Sequence, residues 1–101
     1  MGQKVARLGD PVATGHICAS TTILATPTQT TVFANGKAIA RITDKTVSHA
    51  YPPSPTCAPH VASVNVGSST VYVVGLKCAR VTDSTDAGTI TNGSGTVFAG
   101  G

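Results

Sequence analysis

Residues 30–44 read TTVFANGKAIARITD. The Thr, Val and Phe near its start suit a half-buried strand. Asn35-Gly36 is a strong hairpin signal, because a type I′ turn needs positive φ at both central residues. The stretch therefore reads as strand, tight turn, strand, with Asp44 at the end of the second strand. It also recurs in pieces. KVARLGD at residues 4–10, AIARITD at 38–44 and KCARVTD at 77–83 share an Ala-Arg-apolar-x-Asp string, and Arg7, Arg41 and Arg80 are offset by 34 and 39 residues. TTVFANGKA precedes the second copy, STVYVVGLK at 69–77 precedes the third, and GTVFAGG closes the chain at 95–101. The phase is permuted. The first copy has the Ala-Arg string without its strand, and the last has the strand without the string. The N- and C-terminal pieces are expected to complete one unit, with the termini near each other. In the third copy the turn signal is weaker, with only Gly75.

Three such units around an axis predict an all-β fold with approximate threefold symmetry, formed by residues 1–101 as a single domain. Composition agrees. The chain has no Glu and no Trp, while Thr, Val, Ala and Gly abound. Good helix formers never hold a 3.6-residue period for two full turns. At 101 residues the core is modest. The start at Met1 lacks a charged-then-apolar leader, so no secretory signal is expected. No apolar run approaches the ~18 residues of a membrane span. Seven Lys and Arg outnumber four Asp, but the basic residues are spread along the chain and aromatics are few, which argues against nucleic-acid binding. Asp10, Asp44 and Asp83 each follow an apolar strand end and read as turn chemistry. The Arg stems are expected to pack along the strands. Val32, Val71, Tyr72, Val97 and Phe98 are candidates for the core or for the base of the structure.

The chemistry concentrates in SHAYPPSPTCAPH, residues 48–60, which holds two of the three histidines. His16 lies nine residues beyond Arg7 and His49 eight beyond Arg41, so both occupy nearly the same place in two repeats. The third repeat, TDSTDAG, has no histidine there, and the proline-rich loop supplies His60 and Cys57. If the units surround an axis, these residues converge at one end of it. His16, His49, Cys57 and His60 then form a candidate metal site, since imidazole and thiolate are ligands of a closed tetrahedral zinc centre. Pro52, Pro53, Pro55 and Pro59 lower the entropy lost on ordering that loop. Cys18, close to His16, competes for the thiolate position. The plainer alternative is exposed loop histidines and a buried thiol. Cys78 lies within a strand and reads as a small buried hydrophobe. Nucleophilic catalysis by Cys57 lacks an orienting Asn or Asp nearby.

The repeated Lys-Val-Ala-Arg, Ala-Ile-Ala-Arg and Lys-Cys-Ala-Arg strings resemble the Pro-Ala-Ala-Arg motif of PAAR-repeat proteins. Asn35-Gly36-Lys37, Arg7-Leu8-Gly9-Asp10-Pro11 and the closing Gly95-Thr96-Val97-Phe98-Ala99-Gly100 resemble further family strings, in order and across the whole chain. No copy has the full spelling, and Gly9 becomes Thr43 and Thr82 later. The resemblance implies a small cone of β-hairpins with a metal near its vertex, zinc with iron also possible. The family typically uses three histidines, here His16, His49 and His60, and one cysteine. The place of that cysteine corresponds here to about Ala87, so Cys57 must replace it or the site differs. The implied function is the tip of a membrane-piercing spike, one copy capping the blunt end of a trimeric β-helical spike protein. The machine would be a phage tail baseplate or a type VI secretion system. The implied location is the virion's spike tip, or the bacterial cytoplasm before injection, with only transient contact with the target's outer membrane. No catalysis is expected. The alternatives are an adaptor or a delivered zinc- or thiol-dependent effector enzyme. The chain ends at Gly101 with the cone's last strand, which argues against an appended toxic domain.

Overall fold

The computed structural model describes residues 2–16, 18–25, 29–51 and 58–100. Those residues form an all-β fold of twelve short strands, with no helix among them. Three antiparallel hairpins carry the repeated strings. Phe33–Ala34 (β4) pairs with Lys37–Ala38 (β5), and Tyr72–Val73 (β8) pairs with Leu76–Lys77 (β9). The third hairpin joins the two ends of the chain, with Gln3–Lys4 (β1) on Phe98–Ala99 (β12). The permuted phase thus closes as the repeats predict. Asn35 and Gly36 both have positive φ, at 55° and 78°. Val74 and Gly75 take the same conformation, at 48° and 85°, although Val is poorly suited to it.

Below the hairpins the chains cross the axis in a closed ring. Ala6 N–H donates to Ala79 O, Ala79 N–H to Ala40 O, and Ala40 N–H to Ala6 O, at 2.9–3.0 Å. All three alanines are fully buried. Alanine suits this layer because three side chains meet at the axis where the backbones are already within bonding distance. On the hairpin side lie Val5, Ile39 and Cys78 with Ala34, Val73 and Ala99. On the other side lie Leu24, Val64 and Ile90 with Val12. Leu24, Val64 and Ile90 are again equivalent, since each carbonyl accepts from the residue before a repeated Asp, namely Gly9, Thr43 and Thr82.

The repeated Arg and Asp form the joints between units. In each copy the Asp carboxylate accepts the backbone N–H of the Arg three residues before it, at 2.7–2.8 Å. Arg7 and Arg80 also grip their Asp in two-pronged pairs, with every bond at 3.0 Å. Each guanidinium then reaches a neighbouring hairpin, two of them at its turn. Arg7 donates to the Asn35 side chain, Arg41 to the carbonyls of Val73 and Val74, and Arg80 to that of Gly100. Burial along a strand is thus only part of the role of these stems. The residue between Arg and Asp that has positive φ is Gly9 in one copy but Thr43 and Thr82 in the others, at 75° and 77°.

Beyond the Asp turns the three units differ. Pro11–Ala13 (β2) and Thr21–Ile23 (β3) form one arm, His49–Tyr51 (β6) and Ala58–His60 (β7) a second, and Ser84–Thr85 (β10) with Gly88–Ile90 (β11) a third. Strand β11 also pairs with β2, so the first and third arms share one four-stranded sheet. Val12, Thr46 and Thr85 are equivalent buried positions at the root of these arms. The molecule measures 42 × 25 × 21 Å, with the hairpins at one end and the three arms at the other.

Candidate metal centre

All three arms send side chains to one place. His16 sits in the loop between β2 and β3. Thr14 holds that loop: its hydroxyl donates to the carbonyls of His16 and Ala19, and its carbonyl accepts from Ala87 N–H at 2.9 Å. Gly15 permits this approach, because a Cβ there would lie 2.2 Å from the Ala87 carbonyl oxygen and its φ is +76°. His49 and His60 face each other across β6 and β7 as a register pair. Asp86 occupies the turn between β10 and β11 with φ of 58°, a conformation Asp tolerates better than most residues.

The rings of His16 and His49 stack with centroids 5.2 Å apart, and His60 stands edge-on to both. Asp86 Oδ2 lies 2.8 Å from His16 Nε2, 2.7 Å from His49 Nε2 and 3.3 Å from His60 Nε2. The Nε2 atoms of His16 and His49 are 3.3 Å apart. Burial pushes the Asp86 carboxyl up, but hydrogen bonds from His49, His16 and His60, together with the charge on His16, outweigh it and leave the group below its ordinary value.

These residues fit a metal ion. One ligand atom from each of His16, His49, His60 and Asp86 lies within 4.8 Å of every other. A tetrahedral centre with bonds of about 2.0–2.1 Å spaces its ligands roughly 3.3 Å apart. His49 Nδ1 lies 2.9 Å from the Val47 carbonyl, which can only accept, so Nδ1 carries a proton. In the neutral ring Nε2 then presents a lone pair to a carboxylate oxygen 2.7 Å away. Two acceptors this close require a cation between them, either a proton or a metal. The carbonyl also orients the ring, as outer partners of metal-bound histidines do.

Of the residues expected at the site, His16, His49 and His60 are brought together. Cys57 lies outside the described residues. Cys18 is held in a disulfide, so it offers no thiolate, and Cys78 is a buried free thiol in the hairpin-side core. Asp86 is the residue that sequence reasoning missed. It stands one position before Ala87, the place to which the family's cysteine was assigned.

Comparison with protein families matches residues 19–89 to the PAAR motif. No curated protein matches the chain.

Proposed function

The chain belongs to the PAAR motif family, and from that premise we propose that it is the tip of a membrane-piercing spike in a contractile injection machine. One copy caps the blunt end of a trimeric β-helical spike protein, in a phage tail baseplate or a type VI secretion system. It resides on the virion, or in the bacterial cytoplasm until firing carries it through a target's outer membrane. The proposed role is mechanical.

The observation that carries this reading is the hairpin end. Phe33, Tyr72 and Phe98 hold the same position in the three hairpins and are 55%, 56% and 50% exposed. Val74 adds a further exposed apolar side chain at a turn. Exposed aromatics repeated about an axis suit a partner with three equivalent faces, and buried aromatics anchor protein interfaces. One chain with three similar but unequal units can match those faces and still end in arms that differ. A trimer must keep all three chains identical up to the axis.

A metal bound by His16, His49, His60 and Asp86 would tie three short arms together where little apolar core exists. Structural zinc can supply roughly 10 kcal/mol or more of folding free energy. Zinc and iron both suit imidazole donors.

The test is stoichiometry. The chain mixed with the trimeric spike protein of its own machine should form a complex of one copy per trimer, measured by light scattering on a sizing column. Replacing Phe33, Tyr72 and Phe98 together by Ser should abolish the complex while the β-sheet circular dichroism persists. Failure of the unaltered chain to bind, or three copies per trimer, would overturn the reading.

A further inference from the structure

We propose that Lys4, Lys37 and Lys77, one on each hairpin, fit the hairpin end to an acidic rim on a trimeric protein, with Asp or Glu side chains supplied by each partner chain. The proposal rests on the reading of the hairpin end as the docking face, and it names the chemistry of what docks there.

Charge is segregated in this molecule. The chain has four Asp and no Glu, and none of the four lies on a hairpin. Asp10, Asp44 and Asp83 are 5%, 1% and 4% exposed, and each accepts the backbone N–H of its repeated Arg in the joints. Asp86 directs Oδ2 at the three histidines of the arm end. Three of the four lysines lie in the hairpin strands: Lys4 in β1, Lys37 in β5 and Lys77 in β9. Lys4 and Lys37 are exposed and Lys77 is half-buried. Among the described residues no carboxylate pairs with any of them. The fourth, Lys45, follows the Asp turn of its unit, with Nζ 3.3 Å from the Ser63 hydroxyl.

The lysines accompany the exposed aromatics. Lys4 is the register partner of Phe98, and Lys77 that of Tyr72. Side chains directly opposite in an antiparallel pair share a face, with Cβ atoms about 4.5–5.5 Å apart. In the remaining hairpin Ala38 faces Phe33, and Lys37 comes one residue earlier. The flexible four-carbon stem of Lys can take up that offset. Each hairpin therefore presents one aromatic ring and one ammonium group. A trimer supplies its carboxylates in threes, which matches one cation per hairpin. A lipid surface or a nucleic acid has no threefold repeat for the lysines to meet. At protein interfaces buried rings hold affinity, while charges beside them set approach and orientation.

The test follows binding of the full chain to the trimeric spike protein of its own machine by surface plasmon resonance. NaCl is raised from about 0.1 to 1 M, which shortens the Debye length from ~10 to ~3 Å. The association rate should fall by about tenfold or more, with little change in the dissociation rate. Lys4→Gln/Lys37→Gln/Lys77→Gln should weaken affinity by about tenfold and remove most of the salt dependence. Lys45→Gln should bind as the unaltered chain does. Salt-independent binding, an unchanged triple variant, or an equal loss in Lys45→Gln would overturn the proposal and leave the docking reading standing. A DNA duplex that displaces the spike protein, and whose own binding is lost in the triple variant, would assign the lysines to a polyanion and overturn it too. An unaltered chain that binds no spike protein at any salt concentration would defeat the docking reading, and the proposal with it.

Discussion

Arg80→Ala tests whether the repeated Arg residues are joints between units. Arg80 and Asp83 are 7% and 4% exposed, and their two-pronged pair is made of bonds of 3.0 Å. The hydrogen bond to Asp83 raises the Arg80 pKa further, so the guanidinium stays charged. Arg80 also donates to Gly100 O at 3.0 Å, a contact that holds the hairpin built from the two chain ends. The substitution leaves Asp83 buried with the backbone N–H of residue 80 as its remaining donor from this pair. Removing one partner of a buried ion pair costs about 3–5 kcal/mol. For a chain this size that lowers Tm by roughly 4–8 °C per kcal/mol, against a total stability of about 5–15 kcal/mol. Urea unfolding followed by circular dichroism is the assay, since the chain has no Trp. Arg80→Lys should lose less, because the charge stays but the fork is gone. The double variant Arg80→Ala/Asp83→Ala should lose less than the sum of the single changes, since no buried charge is left unpaired. A loss below about 1 kcal/mol for Arg80→Ala, or strict additivity in the double variant, would refute the reasoning.

Val74→Asn should stabilise the protein by about 1–2 kcal/mol, the cost of a left-handed backbone at an ordinary residue. Val74 is 58% exposed, so little burial is lost, and a fall in Tm would contradict the turn described here. The Cys78 thiol is pushed up to about 11 by burial and by the charge of Asp83, which outweigh Arg80, so it should resist alkylation until the chain unfolds. Because its folded value lies above the ordinary one, its contribution to stability is complete below the ordinary thiol range. That contribution should be lost as pH rises toward 11, visible as a falling urea midpoint absent in Cys78→Ala. Chelation of the metal should lower Tm by far more than any of these changes. Asp86→Ala and His49→Ala should abolish metal content measured per chain, whereas Cys57→Ala should retain it. Loss of metal in Cys57→Ala with retention in Asp86→Ala would reverse the assignment.

The hairpin half of the fold was readable because its determinants are local and repeated. Asn35-Gly36 encodes its turn directly, and the Ala-Arg-x-x-Asp strings recur because each Arg must reach the next hairpin. The Val74-Gly75 turn was less legible, since Val at positive φ contradicts local preference and is held there by its neighbours. The same holds for Thr43 and Thr82, where the first copy has Gly9. At the metal end, His16 and His49 were legible from their shared distance to a repeated Arg. Asp86 was not. It lies three residues beyond Asp83 and outside the repeated string, and its arm is much the shortest of the three. An Asp able to adopt positive φ, followed by Gly88 where a Cβ would strike the Ala13 carbonyl, was the available signal for a tight turn at that spot.

At the hairpin end each unit keeps an aromatic at one position, Phe33, Tyr72 or Phe98, together with a repeated Arg and Asp. The arm end gathers four candidate donors at one point, and three identical arms would supply donors only in threes. The arms accordingly differ, giving one histidine, a cross-strand pair of histidines and one carboxylate. Among the described residues the deepest apolar layer before the arms is Leu24, Val64 and Ile90 with Val12, and above it the buried side chains at the arm roots include Thr46 and Thr85. Packing of that kind does not hold three imidazoles against a carboxylate. The Nε2 of neutral His49 opposes a carboxylate oxygen at 2.7 Å, a contact that a proton or a metal ion between them would make favourable.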